Sequence, residues 1–208
     1  MVLRRLVAKL LACALLLPVL PGITAAEAPR TEDVLGIYTT QDGTGPVHLD
    51  VFSGSVTVFL VATHLSMPWG LNGWECHLLG DWEVIPGIFY GGGILMGQAI
   101  NISAFPDFAV GLSQPLFPDA EGSVCLASFT FIFFGPEIME LFLAPALQPS
   151  LPGLMCYAAT GDPGMLIPFH WSSGDASMPV FGFNTTPPIP ASTPCSWGAI
   201  KSLYGTAR

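Results

Sequence analysis

Four histidines, three close pairs of acids, five tryptophans and five cysteines are the side chains through which this 208-residue chain could do chemistry. His48, His64, His77 and His170 show neither H-x-H nor H-E-x-x-H spacing, so they carry no metal signature. Each lies in or beside an apolar run, as ordinary strand histidines do, although His64 and His77 flank one loop and could converge there. The acid pairs are Asp81 with Glu83, Asp119 with Glu121, and Glu137 with Glu140. A glycosidase needs two carboxylates ~5–9 Å apart across a cleft, a geometry that sequence neighbours rarely supply. A hydrolase built on this chain would therefore draw its pair from separate loops. Asp119-Ala-Glu121-Gly122 lacks the acid density of a strong calcium loop, and solvated loop acids are the simpler reading. No G-x-S-x-G elbow is present. No catalytic residue, metal ligand or cofactor is expected.

Aromatic side chains offer a second kind of chemistry. Most tryptophans of a β-sandwich pack in the core or rim. Trp69 and Trp82 sit in loops beside Gly70 and Asp81, and are the candidate glycan contacts. Asn101-Ile-Ser103 and Asn184-Thr-Thr186 are formal glycosylation sequons.

The charge distribution excludes more than these residues suggest. Only six Lys and Arg stand against fifteen Asp and Glu, and residues 31 to 200 contain no Lys or Arg. Nucleic-acid binding needs cations to displace phosphate counterions, so that partner class is excluded. A phosphate-gripping lysine, an arginine finger and a Schiff-base lysine are absent from the same stretch.

Residues 1–26 read as a secretory signal peptide. Arg4, Arg5 and Lys9 precede the apolar run Leu10–Leu20, and Thr24-Ala-Ala26 offers a cleavage site. The run is broken by Pro18 and followed by Pro21, unlike a spanning helix of ~20 apolar residues. Leu10-Leu-Ala-Cys13 has the form of a lipobox and Arg4-Arg5 that of a twin-arginine signal; ordinary secretion fits the apolar run better. The expected mature chain carries three cations and fifteen acids, a formal charge of −12. It is read as extracellular, cell-surface or periplasmic, with no transmembrane span.

Export gives the cysteines a meaning. Beyond Cys13 there remain Cys76, Cys125, Cys156 and Cys195, an even number that reads as two disulfides with three connectivities; buried free thiols are the alternative. The preferred pairing is Cys76 with Cys125 and Cys156 with Cys195. Alternation places Trp74, Cys76 and Leu78 on one strand face, with Glu75 and His77 on the other. It likewise places Cys125, Ala127, Phe129, Phe131 and Phe133 on one face, which is the reason for pairing Cys76 with Cys125 across the core.

These residues must be positioned by strands. Gly and Pro total 43, leaving little room for long helices. Short β-branched and aromatic runs between turn residues predict strands at 34–40, 47–52, 55–64, 73–79, 88–90, 94–102, 108–112, 124–134, 139–143, 154–159, 165–171 and 180–183. The expected fold is all-β, an antiparallel β-sandwich spanning residues 27–183. A Pro-rich spacer at 184–194 and a short tail at 195–208 follow. An outer-membrane barrel is suggested by 84–118, where Asp107 is the only charge, but its apolar runs do not alternate.

Val56-Thr-Val-Phe-Leu-Val-Ala-Thr63 with Leu71-Asn-Gly-Trp-Glu-Cys-His-Leu78, and Gly122-Ser-Val-Cys-Leu-Ala-Ser-Phe-Thr-Phe131, resemble strands of cohesin-like β-sandwich modules. The ending Ser196-Trp-Gly-Ala-Ile-Lys-Ser-Leu-Tyr204 is similar to tails of uncharacterised exported bacterial proteins with such sandwiches. The resemblance implies a jelly-roll-type sandwich, and cohesins bind partner modules or reside in cell-surface scaffolds. The chain is read as a non-catalytic binding or structural module, with a surface protein or, through its tryptophans, a glycan as the expected partner. No dockerin-contact motif matches residue by residue.

Overall fold

The computed structural model describes residues 32–66, 69–162 and 164–185. The expected signal peptide, nearly all of the Pro-rich spacer, the tail, Cys195 and Trp197 lie outside the described residues. Twelve strands and no helix occur among the residues described. They are β1 (Val34–Tyr38), β2 (His48–Leu49), β3 (Gly54–Thr63), β4 (Leu71–Gly80), β5 (Ile88–Leu95), β6 (Ala99–Asn101), β7 (Asp107–Leu116), β8 (Val124–Phe133), β9 (Met139–Ala144), β10 (Met155–Ala159), β11 (Leu166–Trp171) and β12 (Phe181–Phe183).

The strands form a β-sandwich. One layer runs β1-β3-β8-β5, with β5 at its edge. The other is centred on β4, which pairs with β7 along one side and with β10 and then β9 along the other. β6 extends it beyond β7, and β12 and β2 extend it beyond β9. β11 links the layers, pairing antiparallel with β10 through Leu166–Phe169 and parallel with β1 through His170 and Trp171. The expected strand break at Gly91–Gly93 is not a break. β5 runs through the three glycines and absorbs them as a bulge between Tyr90 and Gly92.

Alternation decides which side chains fill the core. Trp74, Cys76 and Leu78 of β4 point inward, meeting Phe129, Phe131 and Phe133 of β8 and Phe108 and Val110 of β7. Phe181 and Phe183 close one side of this cluster, and Phe183 packs on Phe131 and Phe133 at centroid separations of 5.8 and 4.9 Å. Each such phenyl stabilises the fold by about 1.5–3 kcal/mol through burial.

The same register corrects the proposed disulfide. Between Leu60 and Val61 of β3, the partner on β8 jumps from Ala127 to Cys125, so Leu126 is an extra residue. A one-residue slip flips every side chain beyond it. Cys125 therefore leaves the face shared by Ala127, Phe129, Phe131 and Phe133 and becomes half-buried, while Cys76 stays fully buried in the core. Among the described residues Cys76, Cys125 and Cys156 are free thiols, and Cys195, the expected partner of Cys156, lies outside them. Cys76 does not pair with Cys125.

Asp33 ties together three segments just ahead of β1. Its buried carboxylate accepts from the Ser66 backbone N–H, from Ser66 Oγ at 2.9 Å and from Tyr157 Oη at 2.8 Å. The far end of the domain is closed by Asn184. Its side chain accepts from Val51 N at 2.6 Å and donates to the carbonyls of Val51 and Glu137. Asn184 thus packs against the domain.

Candidate functional site

Two surfaces stand out, and they lie on different parts of the molecule. The first is the end at which β4 finishes and β5 begins. The loop 81–87 turns there on Asp81, whose carbonyl accepts the N–H groups of Val84 and Ile85. Trp82 folds back over Gly80, where a Cβ would overlap the indole, and packs on Tyr90, Phe105 and Phe131. Phe105 stacks on Tyr90 at 4.1 Å with the rings 7° from parallel. Trp82, Tyr90, Phe105 and the loop line an open cleft of about 620 Å³, with Val84 and Phe89 also in its wall.

Glu83 also lines this cleft, and large apolar side chains are exposed at the same end of the molecule. Val84 is 76% exposed, Phe89 58%, Phe134 72%, Ile138 62% and Phe52 79%. The pairing of Gly54 and Ile88 with Phe133 sets the start of β3 and β5 beside the end of β8. Phe89 meets Phe134 edge to face at 5.6 Å, and Phe134 N donates to Gly87 O. The Asn184 bridge holds Val51 and Glu137 together, bringing the neighbouring Phe52 and Ile138 to the same end. Single exposed apolar residues are ordinary, but a cluster of large ones marks an interaction surface.

The second surface is the outer face of the layer centred on β4. There, Gly73 lies between Gly111 of β7 and Ala158 of β10, and Glu75 lies between Ala109 and Cys156. The small residues leave a furrow of about 260 Å³, flanked by Ile102 and Leu166 and closed at one end by Ser150 and Glu75. Glu75 is buried at 8% exposure. Its Oε1 accepts from Ser150 N at 2.6 Å and Cys156 Sγ at 3.2 Å, and its Oε2 from Ser150 Oγ at 2.8 Å. Burial pushes the Cys156 thiol up to about 12, and the hydrogen bond to Glu75 adds to that shift. Cys156 is therefore a protonated donor, not a nucleophile.

One step along β4, His77 Nδ1 lies 3.0 Å from Asp107 Oδ1, which also accepts from Leu147 N at 2.9 Å. Burial pushes the Asp107 carboxyl up, but the Leu147 N–H, His77 and Ser103 outweigh it and hold the group below the ordinary range. Glu75 and Asp107 are diagonal neighbours on β4 and β7, and both carboxylates are gripped by the 145–150 segment. They act as pins for that loop.

The residues singled out from the sequence are mostly dispersed. Trp69 is 54% exposed and lies over Gly161, whereas Trp82 is 6% exposed. They flank opposite ends of the ten-residue β4, about 33 Å long at the usual rise, and cannot form one sugar platform. His64 contacts its neighbour Thr63 while His77 pairs with Asp107, so the two histidines do not converge. Asp119 Oδ1 is occupied by the N–H groups of Glu121 and Ser123, which makes it a turn former. Both sequon amides are engaged inside the fold: Asn101 Nδ2 donates to Asp107 O, and Asn184 Nδ2 to Val51 and Glu137. No group of three or more His, Cys, Asp or Glu that could hold a metal occurs among the described residues.

Alternation did place Glu75 and His77 on the face opposite Trp74, but their partners Ser150 and Asp107 are remote in sequence and gave no signal. The apolar end also went unseen. Its residues come from three separate connections, with Phe52 before β3, Val84 and Phe89 at the β4–β5 turn, and Phe134 and Ile138 between β8 and β9, each of which reads locally as a strand terminus.

No family model matches this chain, and no curated protein matches it. Among solved structures it is similar to the seventh ScaB type I cohesin from Pseudobacteroides cellulosolvens, with TM-score 0.39 and 13% identity over 77% of this chain and 94% of that one. At that level of similarity nothing about partners transfers.

Proposed function

We propose that this domain is a non-catalytic binding module that works outside the cell and attaches to a protein partner through its apolar end. The observation that supports this reading is the group Phe52, Val84, Phe89, Phe134 and Ile138, exposed at one end of the domain, where Val84 and Phe89 line a cleft of about 620 Å³. The setting adds to it. Residues 31 to 200 offer no Lys or Arg, so affinity must come from buried apolar area, with the acids setting which partners are repelled. Export rests on the signal-like residues 1–26.

The test uses the paired substitution Phe89→Ser and Phe134→Ser. Both side chains are exposed, so the fold should be little affected. Retention of the full chain on the envelope of its own source cells should fall at least tenfold, a loss of about 1.4 kcal/mol. Undiminished retention contradicts the assignment. Hydrolysis of a glycan panel above the buffer blank would favour the hydrolase instead.

A further inference from the structure

The furrow on the outer face of the β4 layer presents a puzzle independent of the apolar end. Glu75 is a buried carboxylate in a domain whose described residues include no Lys or Arg. Burying such a group without a counterion is costly, and hydrogen bonds offset only part of that cost. Three donors reach it, two on Oε1 and one on Oε2. A carboxylate has about four acceptor sites, so capacity remains on Oε2.

The space in front of Glu75 is shaped for one kind of visitor. Its floor is Gly73, Gly111 and Ala158, and Ile102, 84% exposed, rises as one wall with Leu166 as the other. A Cβ at Gly111 would meet nothing within 4 Å, so the floor is open to the outside. The volume of about 260 Å³ lies under the ~300–1,000 Å³ usual for whole small-molecule ligands. A narrow apolar slot ending in a carboxylate fits a long aliphatic stem with a cationic head. The acids of the domain, opposed by no Lys or Arg between residues 31 and 200, would draw such a group in.

We propose that this furrow receives a lysine or arginine side chain of a partner protein, its stem lying on Gly73, Gly111 and Ala158 and its head bonded to Glu75. Cys156 supports the arrangement as a neutral donor to the same carboxylate. Ser150 holds the acid in place and closes the slot behind it.

The experiment is a titration of the full chain, followed by amide NMR, with acetyl-lysine and acetyl-arginine methylamides as probes and acetyl-norleucine methylamide as the uncharged control. The cationic probes should move the Ser150 and Gly111 amide resonances saturably, and norleucine should not. Glu75→Gln keeps an acceptor for Ser150 and should weaken binding at least about tenfold. Gly111→Ala adds a methyl group to the floor where a Cβ meets nothing within 4 Å, and Gly111→Val narrows the floor further; both leave the carboxylate in place, and the valine should abolish the shifts. Absent saturable shifts, equal binding of norleucine, or an unchanged midpoint in Glu75→Gln each overturn the proposal. None of these results bears on the apolar end, so the two surfaces are tested separately.

Discussion

Asp33 joins the start of β1 to the 64–66 segment and to β10 through three hydrogen bonds. Replacing it with alanine strands the buried Tyr157 hydroxyl, whose proton burial and Asp33 hold tightly. Asp33→Ala should lower unfolding stability by about 2–4 kcal/mol, measured by urea denaturation. Asp107 gives a pH signature. Its folded pKa is held below the ordinary 3.8, so it stabilises the fold fully above that value. The contribution is lost as pH falls through the lower folded value. Asp107→Asn should therefore flatten the acid limb of the stability curve, and an unchanged limb would count against the pin role. The thiols belong to the same scale. Burial pushes Cys125 up to about 11 and Cys156 up to about 12, so alkylation at pH 8 should be slow until the chain is unfolded.

At the scale of the strand, period-2 alternation is legible where one face is buried, as in β9 and the second half of β8, and is lost where both faces are covered, as in β1 and β12. Ala127, Phe129, Phe131 and Phe133 of β8 lie inward as the pattern required, and each is at most 1% exposed. Phe131→Ala should cost about 3–5 kcal/mol, read from the same urea transitions, since it removes contacts with Trp82, Tyr90 and Phe183 at once. The pattern failed where register slips. The extra residue at Leu126 reversed Cys125 and with it the inferred disulfide, and the bulge at Tyr90/Gly92 carried β5 through glycines that read as a turn. Bulges have no reliable signature in one sequence because they are set by the partner strand. Both surfaces were hidden for a related reason. The furrow depends on three strands aligning Gly73, Gly111 and Ala158, and that alignment is a property of the sheet.

For the whole molecule, the absence of Lys and Arg from residues 31 to 200 leaves repulsion among acids with little to relieve it. The ion pairs among the described residues all use histidine. Added salt should therefore raise the melting temperature, as the Debye length contracts from about 30 Å at 0.01 M to about 8 Å at 0.15 M. A melting temperature that falls with salt would mean that attraction, not repulsion, dominates the field. The same distribution makes the two surfaces complementary in kind, one apolar and one that seeks a cation. The apolar end is the central claim. Its most direct test is photo-crosslinking in the source culture from p-benzoylphenylalanine placed at Val84, with Asp162 at the opposite end of β4 as the control position. A discrete adduct from position 84 and none from position 162 is the predicted result. No adduct from either, or the same adducts from both, would contradict it.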